Sequence, residues 1–168
     1  MVRETEKITH HSQSSNRYIR KATLSDVCRI AEIYVFNNRL LYYPIFQDIQ
    51  FSFEKLQVQS YIEVVKERLC DTYVYDDGIV RGFIVITGTE IKKLHVDCFF
   101  RRQGVGGCML AYAVRKFSAD TLWVLEKNED AILFYEKSGF VKTADKSQMV
   151  TSKGHVEFVV KMILTPDR

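Results

Sequence analysis

The chain has 168 residues, 46% of them hydrophobic, which fits one ordinary domain with a real core. Its formal charge of +3 is small and its Lys and Arg residues are spread along the chain, so no nucleic-acid partner is implied. No apolar run approaches the roughly 20 residues of a membrane helix, so no membrane partner is expected either.

The first segment, Met1 to Asn16, is polar and lacks the apolar centre and cleavage site of a secretory signal. It reads as a flexible arm (1–16) before a domain at 17–168, in a cytoplasmic protein. Cys28, Cys70, Cys98 and Cys108 form no CxxC pair, and no spacing with the histidines suggests a metal site. Reduced, mostly buried thiols are expected, and no metal. His10 and His11 are adjacent, but they lie in the polar arm.

Arg17 to Ala22 reads as a short strand, and Thr23 with Asp26 three residues on caps a helix that begins at Leu24. Val27, Ile30, Ala31 and Tyr34 recur at helical spacing and face a core. Leu40 to Ser52 holds Pro44 with Tyr42, Tyr43, Phe46 and Phe51, and reads as a loop or broken helix. Its aromatics could wall a small amine or could pack helix against sheet. A second helix is expected from about Phe53 to Leu69.

Asp77-Gly78, between Thr72 to Tyr75 and Ile79 to Thr87, is the strongest hairpin signal. Its second strand is apolar on both faces, as a covered central strand must be. A strand from Glu90 to Cys98, a loop, a helix from about Gly104 to Phe117 and a strand from Asp120 to Lys127 make a crossover with two roughly parallel strands. Asn128 opens another helix with Glu129 and Asp130 in its first turn, and Gly139 ends it. Strands from Gly139 to Ala144 and from His155 to Leu164 close the chain. In the last, Val156, Phe158, Val160, Met162 and Leu164 alternate onto one face. The whole reads as one α+β domain with a mixed sheet.

Two segments carry chemistry. Arg101-Arg102-Gln103-Gly104-Val105-Gly106-Gly107 lies between a strand end and a helix start, where backbone N–H groups lack partners and glycines allow close approach. Unpaired amides and the helix dipole suit an anion such as a pyrophosphate. A glycine turn that merely starts a helix would look the same. A Walker loop is excluded because Gly106 is followed by Gly107 and Cys108, and a dinucleotide fingerprint because Met109 stands where a third glycine is needed. In Asn128 to Phe140, residues seven apart on a helix differ by about −20°, so Asn128 and Tyr135 share a face with the small Ala131 between them. Taken blandly, Asn128 is a helix cap and Tyr135 a half-buried aromatic.

Together these segments, in this order of elements, resemble the GNAT superfamily of acyl-CoA-dependent N-acyltransferases. The resemblance covers roughly Tyr18 to Leu164. It implies a single-domain fold with a mixed, mostly antiparallel sheet of six to seven strands, helices on both faces, and a central strand pair that splays apart. It implies acetyl-CoA as acyl donor and direct transfer to a primary amine of a small molecule or protein. By position, the amides of Arg102, Gln103, Gly104, Val105, Gly106 and Gly107, in the run begun by Arg101, would cradle the pyrophosphate. The backbone of Leu94, His95 and Val96 would pair with the pantetheine arm, with Asn128 and Ala131 on its other side. Tyr135 would protonate the departing thiolate, and the Val96 N–H would stabilise the oxyanion. Glu90 is the candidate base acting through water, with His95 its rival. Cys98 stands where relatives often have proline. Monomer and homodimer are both compatible with the exposed edges of such a sheet, and a catalytically silent acyl-CoA sensor on the same fold is the alternative function.

Overall fold

The apolar segment Val80–Thr87 becomes the strand around which a computed structural model assembles the rest; the structure describes residues 16–150, 154 and 156–165. The N-terminal arm with His10 and His11 lies outside the described residues. In chain order the elements are β1 (Ile19–Lys21), α1 (Val27–Phe46), α2 (Val58–Glu67), β2 (Thr72–Asp76), β3 (Val80–Thr87), β4 (Glu90–Val96), α3 (Val105–Phe117), β5 (Thr121–Leu125), α4 (Glu129–Glu136), β6 (Phe140–Val150) and β7 (Val156–Leu164). The described strands form one sheet in the order β1-β2-β3-β4-β5-β7-β6. Only β4 and β5 run parallel; every other neighbouring pair is antiparallel. The expected mixed, mostly antiparallel sheet is therefore present.

Alternation along β3 builds a core on each side. Phe83 and Val85 pack with Val27, Ile30 and Ile33 of α1 and Val65 of α2, while Ile84 and Ile86 pack with Met109 and Ala113 of α3 and Ile132 of α4. Both faces are thus covered by helices, and the central strand must be apolar throughout.

Local signals set most boundaries. The Asp26 carboxylate accepts from the backbone N–H and hydroxyl of Thr23 at 2.8 and 2.9 Å, capping the helical start as its spacing predicts. Arg20 grips the same carboxylate at 2.7 Å and holds it down to a pKa of about 2; it also reaches Asp76 at 2.7 Å, tying β1 to β2. Gly78, at φ 108°, turns the predicted hairpin.

Other expectations are narrowed or corrected. Of the two readings of Leu40 to Ser52 the broken helix is the one present: α1 runs on through Pro44 to Phe46 and breaks at Gln47, whose N–H donates to the Tyr43 carbonyl, before helical turns resume at Gln50. Pro44 is tolerated because it sits in the last turn, where the aromatic cluster Tyr42, Phe46 and Phe51 holds the helix end by packing. The second helix starts five residues later than Phe53, after a wide turn at Gln50–Lys55 closed by Leu56 N–H donating to the Phe51 carbonyl. Arg39 pins that turn through the Ser52 and Leu56 carbonyls at 3.0 and 2.8 Å. In β7 only Val160 and Met162 are buried; Val156 and Phe158 are exposed because there the strand runs past β5 and pairs with β6 alone. The thiols are not mostly buried either: Cys28 and Cys70 are exposed and Cys98 and Cys108 half-buried, all unpaired.

Gly82 is where β3, β4 and α3 come closest. A Cβ there would stand 2.6 Å from the His95 carbonyl oxygen and 2.8 Å from Met109 Cε. Gly82→Ala should therefore cost about 1–3 kcal/mol, read as a lower midpoint in denaturant unfolding. An unchanged midpoint would mean that the two strands and α3 pack less tightly than the geometry requires.

Candidate active site

β4 and β5 pair at only two positions, Glu90 with Thr121 and Ile91 with Leu122, and then part. β5 instead follows β7 through five consecutive pairs, from Thr121 with Ile163 to Leu125 with Val159. The expected splay is thus a wedge whose closed end is at Glu90 and whose open end is at Val96.

The register of β4 decides what faces that wedge. Asp97 N–H donates to the Arg81 carbonyl at 2.8 Å, so in the antiparallel ladder the bonded pairs fall at Phe83/His95 and Val85/Lys93. The backbone groups of Leu94 and Val96 then turn away from β3 toward the gap, whereas those of His95 are spent on β3. The strand presents two of the three expected residues to a ligand. The Val96 carbonyl accepts from the Asn37 side-chain amide at 2.8 Å, leaving the Val96 N–H and both groups of Leu94 without a strand partner.

A bulge sorts the side chains between faces. Val85 lies opposite Lys93 but Ile86 opposite Ile91, so Lys92 has no partner and the alternation reverses there. Ile91, Leu94 and Val96 point to the α3/α4 side. Glu90, Lys93 and His95 consequently share the α1/α2 side. Glu90 pairs with Lys92 at 2.6 Å.

At the open end of the wedge the chain enters the glycine loop. Arg102 and Gly104 take left-handed conformations, φ 62° and 83°, the kind of turn in which successive N–H groups can line a concave anion site. Val105 is buried and anchors α3, while Gly106 packs against Val96 and Phe134 of α4, so its place is lined by all three elements. A Cβ at Gly107 would meet no atom within 4 Å. A groove of about 370 Å³ continues from Gly107 along Ala111 and Val114 toward Ser138 and Gly139.

Two of the loop's polar side chains, Arg101 and Gln103, brace it. Arg101 donates to Asn37 Oδ1 at 2.8 Å, and Arg81 donates to Gln103 Oε1 at 3.3 Å. Asp97 accepts from Phe99 N–H at 2.9 Å and is paired with Arg29 of α1 at 2.6 Å. Arg102 points outward, with only a 3.5 Å contact to the equally exposed Asp130. Asn37, Arg29 and Arg81 escape sequence reasoning because each contacts residues at least 22 positions away.

Asn128 caps α4, its Oδ1 accepting from Ala131 N–H at 3.3 Å, and its side-chain NH₂ remains available as a donor. Tyr135 is buried rather than half-buried, between Phe134 and Phe140 at ring distances of 5.1 and 5.9 Å. That burial pushes its phenol well above the usual value, so the proton stays on at any working pH. His95 stacks on Phe83 and meets the edge of Tyr34, each at 5.2 Å. Burial foremost, then the charges of Lys93 and Arg101, push it down to about 3. Such an imidazole is too weak a base to compete for the proton of an alkylammonium. Among the described residues no group of three or more His, Cys, Asp or Glu could hold a metal, and no helix is long and apolar enough to cross a membrane.

A wedge in a mixed sheet, with a glycine loop opening the helix at its mouth, is the arrangement that the resemblance to GNAT acyltransferases implies. Residues 68–142, somewhat less than half of the chain, match the family model described as Acetyltransferase (GNAT) domain. Among curated proteins it is similar to the peptidyl-lysine N-acetyltransferase YjaB of Salmonella typhimurium, 36% identical over 62 residues that make up 37% of this chain and 43% of that protein. The match therefore spans less than half of that relative's length. The solution structure of apo-form YjaB from Escherichia coli covers 89% of this chain and 97% of its own, with a TM-score of 0.68 at 22% identity. The structure of yncA from Salmonella typhimurium with its cofactor acetyl-CoA covers 89% of this chain and 94% of its own, with a TM-score of 0.61 at 18% identity. These two likenesses establish the fold.

The depressed His95 makes stability depend on pH. Its neutral form is favoured by the fold, so this contribution is complete above about pH 6.5, where the unfolded histidine is neutral too, and is lost as the pH falls toward 3. His95→Phe should flatten the fall in unfolding free energy between pH 6 and 4 by up to about 1.4 kcal/mol per pH unit, measured by denaturant titration at each pH. An unaltered slope would place the titration elsewhere.

Proposed function

We propose that the protein transfers an acetyl group from acetyl-CoA to a primary amine by direct attack within a ternary complex. The observation that carries this reading is the wedge. Outward-turned backbone groups of Leu94 and Val96 lead to a loop suited to a pyrophosphate, so an extended arm ending in a diphosphate has partners along its length. The family match at residues 68–142 supports it. So does the acetyl-CoA named with a structure of the same fold.

In this mechanism the amides of Arg102 to Gly107 hold the pyrophosphate, with Arg101 bracing the loop through Asn37. Leu94 and Val96 pair with the pantetheine arm, and Asn128 donates to it from α4, beside the small Ala131. The amine nitrogen bonds to the acetyl carbon, the Val96 N–H stabilises the oxyanion, the carbon–sulfur bond breaks and the amine's proton leaves into a chain of waters, because Glu90 stands at the closed end of the wedge, six positions or about 20 Å along β4 from Val96. Tyr135 lies on the opposite side of the sheet from Glu90, so thiolate and amine are served separately. With its raised pKa, Tyr135 stabilises the developing thiolate chiefly as a hydrogen-bond donor, and complete proton transfer is harder than from an ordinary phenol. The unpaired thiols are in keeping with a reducing compartment, and we place the protein in the cytoplasm.

Acetyl-CoA at 100 times its dissociation constant should raise unfolding free energy by about 2.7 kcal/mol, with ATP and NAD inert. Gly107→Val is the cleanest probe of the loop, because its added atoms meet open space within the protein. It should leave the melting temperature nearly unchanged while weakening acetyl-CoA binding at least tenfold, by calorimetry, through blocked approach of the phosphate. Undiminished affinity would remove the phosphate-loop assignment. Tyr135→Phe should lower kcat about tenfold or more with acetyl-CoA affinity preserved, and an unchanged kcat would remove Tyr135 from the mechanism.

A further inference from the structure

The α1/α2 side of the wedge holds a cluster that the transfer chemistry leaves unused. Tyr34 of α1 and Tyr61 of α2 lie face to face, their ring centroids 3.7 Å apart and their planes within 1°. Lys93 sets its ammonium 4.6 Å from the centre of the Tyr34 ring and 5.8 Å from that of Tyr61. Tyr34 also meets the edge of His95. Tyr42 stands close enough to share the field of Tyr34, and burial pushes the phenols of Tyr42 and Tyr61 upward, so both stay protonated donors.

Lys93 has no carboxylate partner among the described residues, whereas its neighbour Lys92 is paired with Glu90. A lysine ordered over aromatic rings has lost part of the rotamer freedom that a new ion pair would otherwise have to remove. It is also half-exposed, as are both tyrosines, so it can be reached. Through the bulge at Lys92 it shares its face with Glu90, on the opposite side from Tyr135. With Lys92 and Glu90 paired to each other, the Lys93 ammonium is the charge in excess on this part of β4.

Resting on the acetyltransferase reading, we infer that this face is the acceptor site and takes an amine whose molecule also carries a carboxylate, held by Lys93 above Tyr34 and Tyr61. The excess charge has a second effect in the same direction. It disfavours the ammonium form of the incoming amine, which must be neutral to attack, while the carboxylate offsets the repulsion that would turn away a purely cationic acceptor. Polyamines and lysine side chains flanked by basic residues are poor fits for the same reason.

The test is free-thiol release from acetyl-CoA with 4-aminobutanoate, its primary amide, n-butylamine, spermidine and a lysine-containing peptide. The carboxylate compound should be used at least tenfold more efficiently in kcat/KM than its amide or n-butylamine. Lys93→Gln should raise its KM about tenfold with acetyl-CoA affinity by calorimetry unaltered, and Lys93→Arg should restore most of the loss. Equal use of the amide, preference for spermidine or the peptide, transfer to none of the five, or an unmoved KM in Lys93→Gln each overturns the inference while acetyl-CoA still binds. Failure of the wild-type protein to bind acetyl-CoA overturns the acetyltransferase reading itself, and the acceptor assignment with it.

Discussion

The parting of β4 from β5 after two residue pairs leaves backbone donors and acceptors inside the sheet without a strand to bond them. Such groups are costly when they are buried unpaired, and here the cost is met by leaving the gap open to a molecule that can bond them. What keeps it open is β7. By pairing along the whole of β5 it draws that strand off its parallel neighbour, while β3 holds β4 along its full length. The wedge therefore follows from the strand order rather than from any residue within it.

The glycine loop depends on the wedge and on the first helix in equal measure. Its amides are useful only if the loop is held at the open end, and three residues hold it there: Arg29 on Asp97, Asn37 on both Arg101 and the Val96 carbonyl, and Arg81 on Gln103. Arg101 and Gln103 are spent on shaping the loop while Arg102 points outward, so under the proposed function anion recognition rests mainly on the backbone and the start of α3. α1 thus braces the glycine loop while also supplying Tyr34 to the opposite face, so a change in α1 is felt at both.

The single unmatched residue at Lys92 divides the labour between those sides. Without the bulge, Glu90 would fall on the same side of the sheet as Leu94 and Val96; with it, Glu90 joins Lys93 and His95 under α1 and α2. A phenol thus stands on one side of the sheet and a carboxylate with a lysine on the other, the separation on which the proposed function relies. His95, neutral and stacked on Phe83, is a packing element in this arrangement.

Features written in a few adjacent residues were legible beforehand. The Thr23–Asp26 cap, the Asp77-Gly78 turn, the glycine loop and the Asn128 cap each rest on chemistry between residues at most a few positions apart, and each stands where the sequence places it. The alternation of β3 also foretold two cores. The course of α1 through Pro44, the late start of α2, the exposed end of β7 and the exposure of Cys28 and Cys70 were not legible, because each depends on what packs against it. Nor could the bulge, the brace at Asn37 or the Tyr34–Tyr61–Lys93 cluster be read in advance. By itself the sequence determined the class of fold and the location of the glycine loop, since local hydrogen bonding and periodicity suffice for those. Only the tertiary structure decided which side of the sheet each reactive group occupies, because strand register and distant packing partners set that side.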